Sequence, residues 1–411
     1  MKYKILLALF FVLGLVSCRK EMPDMQNPRG ESIYNWDQLF ESYWNGMNYN
    51  YVFWDIDTTN WDKMYEVYKP KFEGIAKAGF ENEEVNKKAF GWLKEMSSTL
   101  IDYHFNLTFY DLKWNGDNSV YPYTFYPGKE NVEKRKGYHR NIDLDRFLIL
   151  KKMKDDGRFI TSTGIGLPAQ NDLPDRIYIS GLTNSNILYL GFSRFSLLTD
   201  FDNPEHEEKM DSVFNIYYNN LDNNPDLKGV IIDVRGNSGG ELRDLSLVLG
   251  KFVKEPLKVF YTRKKSGTGR LDYTPYTPEY LYPLDYTREL DIPVVVLADM
   301  HSISMAEMTT MAVLALPKGN GVFIGEQTWG GTGNLSSDFN MTYGGQFNNN
   351  KLDVYTCMTN LVDANGVSHE GKGIKPTIEV PLDVEKLEQQ LVDNQLEYAI
   401  NYIQSKQEYK D

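Results

Sequence analysis

The first part of the chain carries hydrophobic residues at helical spacing. In the run 34–47 the large apolar residues recur at intervals of three and four, which places them on one face of a helix. A second helix is predicted from Asn60 to the residue before Pro70, because a proline disfavours helical backbone in the residue that precedes it. A third helix is predicted over 83–100. Together these patterns predict a helical subdomain over 34–104.

The pattern changes over 105–185, which is rich in Tyr, Gly, Asn and charged residues and contains only short apolar runs. RFLILKK (146–152) and DRIYIS (175–180) are predicted strands, because both are short runs of β-branched, aromatic and other large apolar residues. We therefore predict a β-rich insert in this part of the chain.

From 186 to 383 buried-strand runs alternate with amphipathic helices, which predicts an α/β core with a parallel or mixed sheet. A C-terminal helix is predicted over 384–411. Functional groups in such sheets lie at the carboxyl ends of strands. Ser304, the RGNSGG loop (235–240) and the GEQTWGGTGN loop (325–334) all follow predicted strands in this way. The overall class is α/β in the core and α+β over the whole chain.

The N-terminus has the pattern of a bacterial lipoprotein signal. Lys2 and Lys4 precede an apolar run that is too short to span a bilayer comfortably, and a Leu-Val-Ser-Cys segment ends at Cys18. The pattern resembles a lipobox, which implies a signal peptide over 1–17 and a lipid on Cys18. The polar segment 18–33 is then the anchor and tether, and the protein is expected in the cell envelope, held on a bacterial membrane.

The charge of the chain excludes some partners. The formal net charge is −13, and removal of 1–17 deletes two lysines and no acids, which gives −15. Such an acidic chain argues against nucleic-acid binding and against electrostatic attachment to a membrane, so membrane association is expected through the lipid alone. The second cysteine, Cys357, lies in an alternating apolar run and is predicted to be a core residue.

Ser304 is the first candidate for a catalytic residue. It lies between a buried-strand run and an apolar helix, and the N–H groups at a helix N-terminus can stabilise an oxyanion. Taken alone this position is ambiguous, because serine is also an ordinary N-cap residue.

Four segments in order carry a resemblance to a known family. They are KGVIIDVRGNSGG (228–240), SISMAEM (302–308), GVFIGEQTWGG (321–331) and GKGIKPTIEV (371–380). With these segments the chain resembles the serine peptidases that include the carboxy-terminal processing proteases and the tricorn core, the tail-specific protease family. The resemblance implies a crotonase-like ββα core, a peptide or protein substrate, and no metal or cofactor.

The resemblance also implies roles for individual residues. Ser304 matches the nucleophile, and the N–H of Met305 matches one oxyanion donor. The Gly239–Gly240 turn matches the second donor. Asp233, Arg235 and Asn237 are expected to hold that turn in shape.

The chain departs from the processing proteases at their catalytic lysine. The matching position is Gly331, and there is no lysine between Lys318 and Lys351. In the tricorn-like branch a histidine serves as the base, and His104 matches that position. Glu370 matches the acid that orients the histidine. Tyr103 stands where tricorn has a small hydroxyl residue.

Rival interpretations remain open. His301 and His369 are alternative bases, whereas His139 and His206 lie in charged stretches and are predicted to be exposed.

The main hypothesis is a lipid-anchored serine endopeptidase or oligopeptidase of the cell envelope. The alternative is a lipoprotein on an inactive peptidase scaffold that binds peptide or polysaccharide. GIGLP (164–168) is the nearest match to a PDZ carboxylate-binding loop, and it is weak. The sequence alone does not indicate an oligomeric state.

Overall fold

The structure is a computed structural model, and the part of the chain that it describes consists of 32–110, 123–168, 174–267, 269–335 and 344–408. The predicted signal peptide and Cys18 lie outside the described residues. Among the helices of the described residues, none is both long enough and apolar enough to cross a membrane.

The helices are numbered along the chain. They are α1 (Trp36–Asn50), α2 (Trp61–Gly74), α3 (Glu83–Ser97), α4 (Pro127–Glu133), α5 (Asp143–Asp155), α6 (Leu197–Phe201), α7 (Glu207–Asn223), α8 (Leu245–Leu249), α9 (Met305–Leu314), α10 (Val384–Gln390) and α11 (Asn394–Glu408). Short 3₁₀ turns flank α8 on both sides.

The strands form three sheets. They are β1 (Asn106–Phe109), β2 (Thr124–Phe125), β3 (Phe159–Pro168), β4 (Pro174–Thr183), β5 (Ile187–Phe192), β6 (Gly229–Asp233), β7 (Leu257–Lys264), β8 (Thr277–Leu281), β9 (Val294–Ala298), β10 (Gly321–Gly325), β11 (Phe347–Asn348), β12 (Leu352–Tyr355), β13 (Thr359–Asp363) and β14 (Ile378–Glu379).

The main sheet has seven strands in the order β14-β10-β9-β6-β5-β4-β3. The strands β14, β10, β9, β6 and β5 run parallel, and β4 and β3 extend the sheet antiparallel. Strands β5, β6 and β9 are buried along their whole length, because helices cover both faces of the sheet. The predicted α/β core is confirmed.

Each face of this sheet has its own hydrophobic core. Helices α7, α8 and α9 pack on one face, with Phe214, Val248 and Met308 among the buried residues. Helices α5 and α11 pack on the other, where Ile149 and Ile403 are buried. The turn that carries Ser304, before α9, is therefore attached to a sheet that is packed on both faces.

The N-terminal helices form a second body with an aromatic core. Trp36, Phe40 and Trp61 are fully or almost fully buried there. This body includes the four-stranded antiparallel sheet β11-β12-β1-β2, in which β1 pairs with β12 from the C-terminal part of the chain. Residues far apart in sequence thus complete the helical subdomain. The third sheet, β13-β7-β8, is antiparallel.

The predicted end of the second helix before Pro70 is wrong, since α2 continues to Gly74. Phe72, which follows the proline, is fully buried in the aromatic core. Lys69 forms ion pairs with Asp37 (2.5 Å) and Glu41 (2.7 Å) of α1. Tertiary contacts on both sides of the proline outweigh the loss of one helical hydrogen bond.

RFLILKK is helical rather than extended, because it lies within α5. The buried residues of α5 are Arg146, Ile149, Leu150 and Met153, and their spacing of three, one and three is helical. GIGLP lies in β3, an extended strand paired with β4, and so does not form a carboxylate-binding loop.

The predicted C-terminal helix is interrupted. Helices α10 and α11 are separated at Leu391, which has a left-handed φ of 49°. Asp393 immediately precedes α11, and its carboxylate accepts hydrogen bonds from the N–H groups of Gln395 and Leu396 (both 3.0 Å). The break brings Asp393 to the loop that follows β6.

Candidate active site

Ser304 lies at a sharp turn between β9 and α9, as predicted. Its φ of 60° and ψ of −117° place a non-glycine residue in a sparsely populated backbone region. Such a conformation costs of order 1–3 kcal/mol and persists only where neighbouring contacts hold it. The Ile303 N–H donates to the Asn237 carbonyl (3.0 Å), and the Ser304 N–H donates to the Gly331 carbonyl (2.9 Å). The turn is thus held between the loops that follow β6 and β10.

The Gly239–Gly240 turn packs directly against Ser304. Gly239 has a φ of 87°, and a Cβ there would lie 2.7 Å from Ser304 Cβ and 2.9 Å from Met305 N. Gly240 has a φ of 143°, and a Cβ there would lie 1.9 Å from the Phe195 carbonyl oxygen. Only glycine fits at either position. The three predicted oxyanion residues therefore surround the nucleophile turn.

The two glycines differ in their hydrogen bonds. The Gly239 N–H donates to Asn237 Oδ1 (2.8 Å). Of the two, the Gly240 N–H is therefore the better candidate for an oxyanion donor. The second candidate is the N–H of Met305, the first residue of α9, which has no acceptor within its helix and lies at the positive end of the helix dipole.

A buried ion network fixes the loop that carries these glycines. Arg235 is fully buried and donates to both oxygens of Asp233 (3.0 and 2.6 Å) and of Asp393 (2.9 and 2.6 Å). Burial alone would raise the pKa of Asp233, but the guanidinium groups of Arg235 and Arg146 lower it to about 2. Asn237 Nδ2 donates to the Phe192 carbonyl (2.9 Å). These contacts agree with the shaping role expected for the three residues.

Glu307 holds the glycine loop after β10 against the nucleophile helix. Its buried carboxylate accepts hydrogen bonds from Thr328 Oγ1 (2.6 Å), Gly330 N–H (2.9 Å) and Gly331 N–H (2.8 Å), and a longer one from Ser304 N–H (3.3 Å). Burial raises its pKa to about 7 in spite of these donors. Glu307 therefore joins the two segments that meet at Ser304.

Gly331 contacts both the nucleophile turn and His104. Its carbonyl accepts the Ser304 hydrogen bond, and a Cβ at Gly331 would lie 3.0 Å from His104 Cε1 and 3.1 Å from His104 Nδ1. A side chain at 331 would therefore press on the imidazole or on the Ile303 side chain, and one of them would have to shift by a few tenths of an ångström. The glycine at this position gives the histidine ring its room.

His104 reaches this point from the helical body. It precedes β1, is 9% exposed, and its N–H donates to Asp102 Oδ1 (2.8 Å). Burial lowers the pKa of His104, and the Asp102 carboxylate partly opposes this effect. The imidazole is therefore neutral near pH 7 and able to accept a proton. Among the hydrogen bonds of the described residues, none joins the side chains of His104 and Ser304 directly, although both residues lie against Gly331.

Glu370 supports the base through its neighbours. Its Oε1 accepts from the Tyr103 N–H (3.0 Å), and its Oε2 accepts from the Thr332 N–H (2.7 Å), Thr332 Oγ1 (3.0 Å) and Gly333 N–H (2.8 Å). Burial, together with the Asp102 carboxylate, raises the pKa of Glu370 well above its usual range. The carboxylate thus positions the residue before His104 and the glycine loop, and its role toward the ring stays a prediction.

Two residues beside the ring were not predicted as site residues. Cys357 Sγ lies 3.5 Å from His104 Nδ1 and donates to Asp102 Oδ1 (3.3 Å). Asp102 Oδ2 accepts from Cys357 N–H (2.8 Å) and Thr356 Oγ1 (2.6 Å). Cys357 is buried as predicted, yet it contacts the histidine. The D-x-H spacing of Asp102 and His104 was a local signal, because an aspartate often accepts from the N–H two residues on.

The other histidines are engaged elsewhere. A ring nitrogen of His301 lies 2.7 Å from the His139 carbonyl, and His369 lies 3.0 Å from Asp363 Oδ2. The predicted exposure of His139 is wrong, since it is only 8% exposed, with a ring nitrogen 2.8 Å from Glu326 Oε2. His206 is partly buried, 3.0 Å from Asp200 Oδ1. The rival bases His301 and His369 thus have other partners.

Comparison with known proteins finds a family match over the core of the chain. The model of peptidase family S41 matches residues 186–380. No curated protein matches the chain.

Solved structures share the fold over most of the chain. A crystal structure of a protein from Parabacteroides merdae, described as a candidate peptidase, is 22% identical and superposes with a TM-score of 0.61, covering 90% of this chain and 96% of that one. Mature CPAF in complex with lactacystin is 12% identical, with a TM-score of 0.54 and coverage of 90% and 97%. At these identities the likeness is one of fold. Together, the family match, the order of the motifs and the geometry around Ser304 identify residues 186–380 as a domain of peptidase family S41.

Proposed function

We propose that this chain is a serine peptidase in which Ser304 is the nucleophile and His104 is the general base. The observation that carries the proposal is Gly331, whose carbonyl holds the Ser304 backbone while its Cα faces the His104 ring. A serine hydroxyl is a weak nucleophile at neutral pH and needs such a base. The glycine supplies the room for it.

The reaction follows from these positions. Since Nδ1 of His104 faces Cys357, Nε2 is the nitrogen left to take the Ser304 proton as Oγ attacks the peptide carbonyl. The oxyanion that forms is stabilised by the N–H groups of Gly240 and Met305. His104 then gives its proton to the leaving amine, which leaves an acyl group on Ser304. Water, activated by the same ring, releases the acid and restores the serine. Removal of one oxyanion donor costs about 2.7–4 kcal/mol of transition-state stabilisation in related acyl-transfer sites.

A fluorophosphonate probe tests this assignment. We expect wild-type protein to be labelled and Ser304→Ala to give no labelling. His104→Gln should lower the labelling rate by about 10²–10⁴-fold, because general-base catalysis contributes that much. His301→Gln is the matched control, since His301 is the histidine nearest to Ser304 in sequence and its ring contacts another segment; it should be labelled at nearly the wild-type rate.

Two outcomes would contradict the proposal. Absence of labelling in wild type, with the fold intact by circular dichroism, would favour the inactive peptide- or polysaccharide-binding scaffold. Full labelling of His104→Gln would exclude His104 as the base. Glu370→Gln tests whether Glu370 acts through its charge or by orienting the residue beside His104. The amide oxygen of glutamine can still accept the hydrogen bond from the Tyr103 N–H. If Glu370 acts through that bond, the variant should retain part of its labelling.

We also propose that a lipid on Cys18 holds the enzyme on a membrane of the cell envelope. The support is the Leu-Val-Ser-Cys segment after the apolar run, followed by a polar tether. In a bacterial host fed with labelled palmitate, wild type should incorporate the label and sediment with membranes. Cys18→Ser should lose the label and leave the membrane fraction. Incorporation into Cys18→Ser would contradict the assignment, and Cys357→Ser is the control that should keep the label.

A further inference from the structure

Behind the ring of His104 lies a buried cluster of four side chains with metal-ligating atoms. Asp102, His104, Cys357 and Glu370 each offer one such atom, and these atoms all lie within 4.8 Å of one another. The four residues are 0%, 9%, 0% and 2% exposed. Orientation of a catalytic imidazole needs one such partner, so this cluster holds more potential ligands than the proposed reaction uses.

The distances in the cluster fit a tetrahedral ion. With Zn–S near 2.3 Å and Zn–N or Zn–O near 2.0 Å, the edges of a tetrahedral site are about 3.3–3.5 Å long. Cys357 Sγ lies 3.5 Å from His104 Nδ1 and 3.3 Å from Asp102 Oδ1. Two edges therefore already have the required length. The widest pair of ligand atoms would have to approach by no more than about 1.5 Å.

The charges in the cluster favour a cation. Asp102 and Glu370 are buried side by side, and in the described part of the chain neither forms an ion pair with a lysine or arginine. The ligand atoms of these two carboxylates lie within 4.8 Å of each other, and although backbone N–H groups donate to both, two negative charges buried this close together repel each other. A divalent ion would remove that repulsion, because buried charges require a partner.

We propose that these four residues form an inhibitory site for a thiophilic divalent cation, Zn²⁺ in the first place. One thiolate and one imidazole select such an ion over Mg²⁺ or Ca²⁺, which prefer oxygen ligands. Binding converts the Cys357 thiol to a thiolate, and its proton leaves to solvent. His104 is the most exposed of the four, and its ring packs against Gly331, so the ion is expected to enter on this side of the cluster.

Inhibition follows from the chemistry of the ring. With the ion on Nδ1, the neutral imidazole carries its one proton on Nε2 and cannot accept another. The general base is thereby removed while the Ser304 turn stays in place. This consequence rests on the function proposed above, whereas binding of the ion does not.

Cobalt(II) reports on the site without any peptidase activity. Titration of the purified full chain with Co²⁺ should produce a thiolate-to-metal charge-transfer band in the near ultraviolet. The band should persist in Cys18→Ser and vanish in Cys357→Ser, because the chain has only these two cysteines. Zn²⁺ should displace Co²⁺ and raise the melting temperature of wild type but not that of Cys357→Ser. Absence of the band from wild type, or its persistence in Cys357→Ser, overturns the proposal.

Fluorophosphonate labelling then tests the inhibition. Zn²⁺ at about ten times its Kd should lower the labelling rate of wild type by about tenfold, since about a tenth of the sites remain free. His369→Gln controls for binding at the His369–Asp363 pair and should be inhibited like wild type. A cobalt band with unchanged labelling in Zn²⁺ contradicts inhibition through His104. Absence of labelling without metal contradicts the proposed peptidase, and the cobalt titration still decides whether the site exists.

Discussion

Gly331 bears on which kind of base the proposed active site can hold. The ideal Cβ position at this glycine lies 3.0 Å from His104 Cε1 and 3.1 Å from Ile303 Cδ1, closer than ordinary van der Waals contact. A lysine here would crowd the imidazole from its first side-chain atom. The absence of a lysine from the loop therefore fits the proposed histidine base, and does not by itself imply an inactive scaffold.

Gly331→Ala should consequently damage the site while leaving the fold intact. The added methyl group pushes the His104 ring or the Ile303 side chain, and a displacement of about 1 Å can cost up to about 100-fold in rate. We expect fluorophosphonate labelling to slow by about 10- to 100-fold, with an unchanged far-ultraviolet circular dichroism spectrum.

Gly331→Lys provides a sharper comparison. The single variant Gly331→Lys should not be labelled, because the lysine side chain and the imidazole compete for the same space. The double variant with His104→Gly should be labelled faster than His104→Gly alone, because the cavity left by the imidazole admits the lysine side chain. Wild-type labelling of Gly331→Lys would refute the argument that the ring and the lysine compete for this space.

The residues of the site differ in how far sequence could predict them. The placement of Ser304 and the Gly239–Gly240 turn at the ends of two neighbouring strands was predictable, because motifs in a fixed order follow the strands. Cys357 was not, since it meets His104 across 253 positions of sequence and its alternating context is that of any core strand. Contacts of that kind depend on tertiary structure, and local pattern carries little information about them.

At the scale of elements, the spacing of hydrophobic residues predicted whether most segments are helices or strands. It failed where the stretch of sequence considered was too short. The strand-helix alternation from β5 to β10 was predicted, and the buried strands β5, β6 and β9 agree with it. RFLILKK is a continuous apolar run that resembles a strand, but the helical spacing of α5 appears only when Met153 is included. For such runs the length of the whole pattern decides between strand and helix.

An element-scale prediction concerns the pair His139–Glu326, which connects the segment before α5 to the end of β10. Burial lowers the pKa of His139, but the hydrogen bond to Glu326 and the nearby Asp299 carboxylate raise it, and the net shift is upward. A raised pKa means that the folded state holds the proton more tightly than the unfolded state. The stabilisation is therefore fully present below the unfolded pKa of about 6.5 and is lost as pH rises through the folded value.

Urea unfolding of wild type and His139→Gln should show this dependence. The difference in unfolding free energy between them should be larger near about pH 5.5 than near about pH 8.5. Glu326→Gln serves as the matched variant, because an amide carries no negative charge and so does not favour the protonated form of His139. An equal difference at both pH values would mean that the pair acts only as a neutral hydrogen bond.

At the scale of the whole molecule, the proposed active site is assembled from two bodies. His104 belongs to the helical body and Ser304 to the seven-stranded sheet, and the segment that carries β11 and β12 returns from the sheet to complete the helical body. The relative position of the two bodies therefore sets the distance between base and nucleophile. Sequence patterns predicted a helical subdomain over 34–104 and a core over 186–383, but the pairing of β1 with β12 is a long-range contact that they did not indicate.

Two glycines of the helical body make this dependence testable. In α1, Gly46 packs against the buried ring of Phe347 from β11, and a Cβ at Gly46 would lie 2.2 Å from Phe347 Cε2. In α3, the same added atom at Gly91 would have no atom of the described residues within 4 Å. Gly91→Ala should stabilise the protein by about 0.5–1 kcal/mol through helix propensity, with labelling unchanged. Gly46→Ala should destabilise it by about 1–3 kcal/mol through overpacking.

Because Phe347 connects α1 to the returning strands, Gly46→Ala should also slow fluorophosphonate labelling at temperatures where the variant is fully folded. The methyl group forces α1 away from β11, and His104 moves with the helical body relative to Ser304. Measurement of denaturant midpoint and labelling rate on both variants separates the two effects. Gly46→Ala could instead lose stability but keep the labelling rate of Gly91→Ala. The site would then be insensitive to how the two bodies are packed. His104 would in that case be held by the local contacts of Asp102, Cys357 and Glu370 alone.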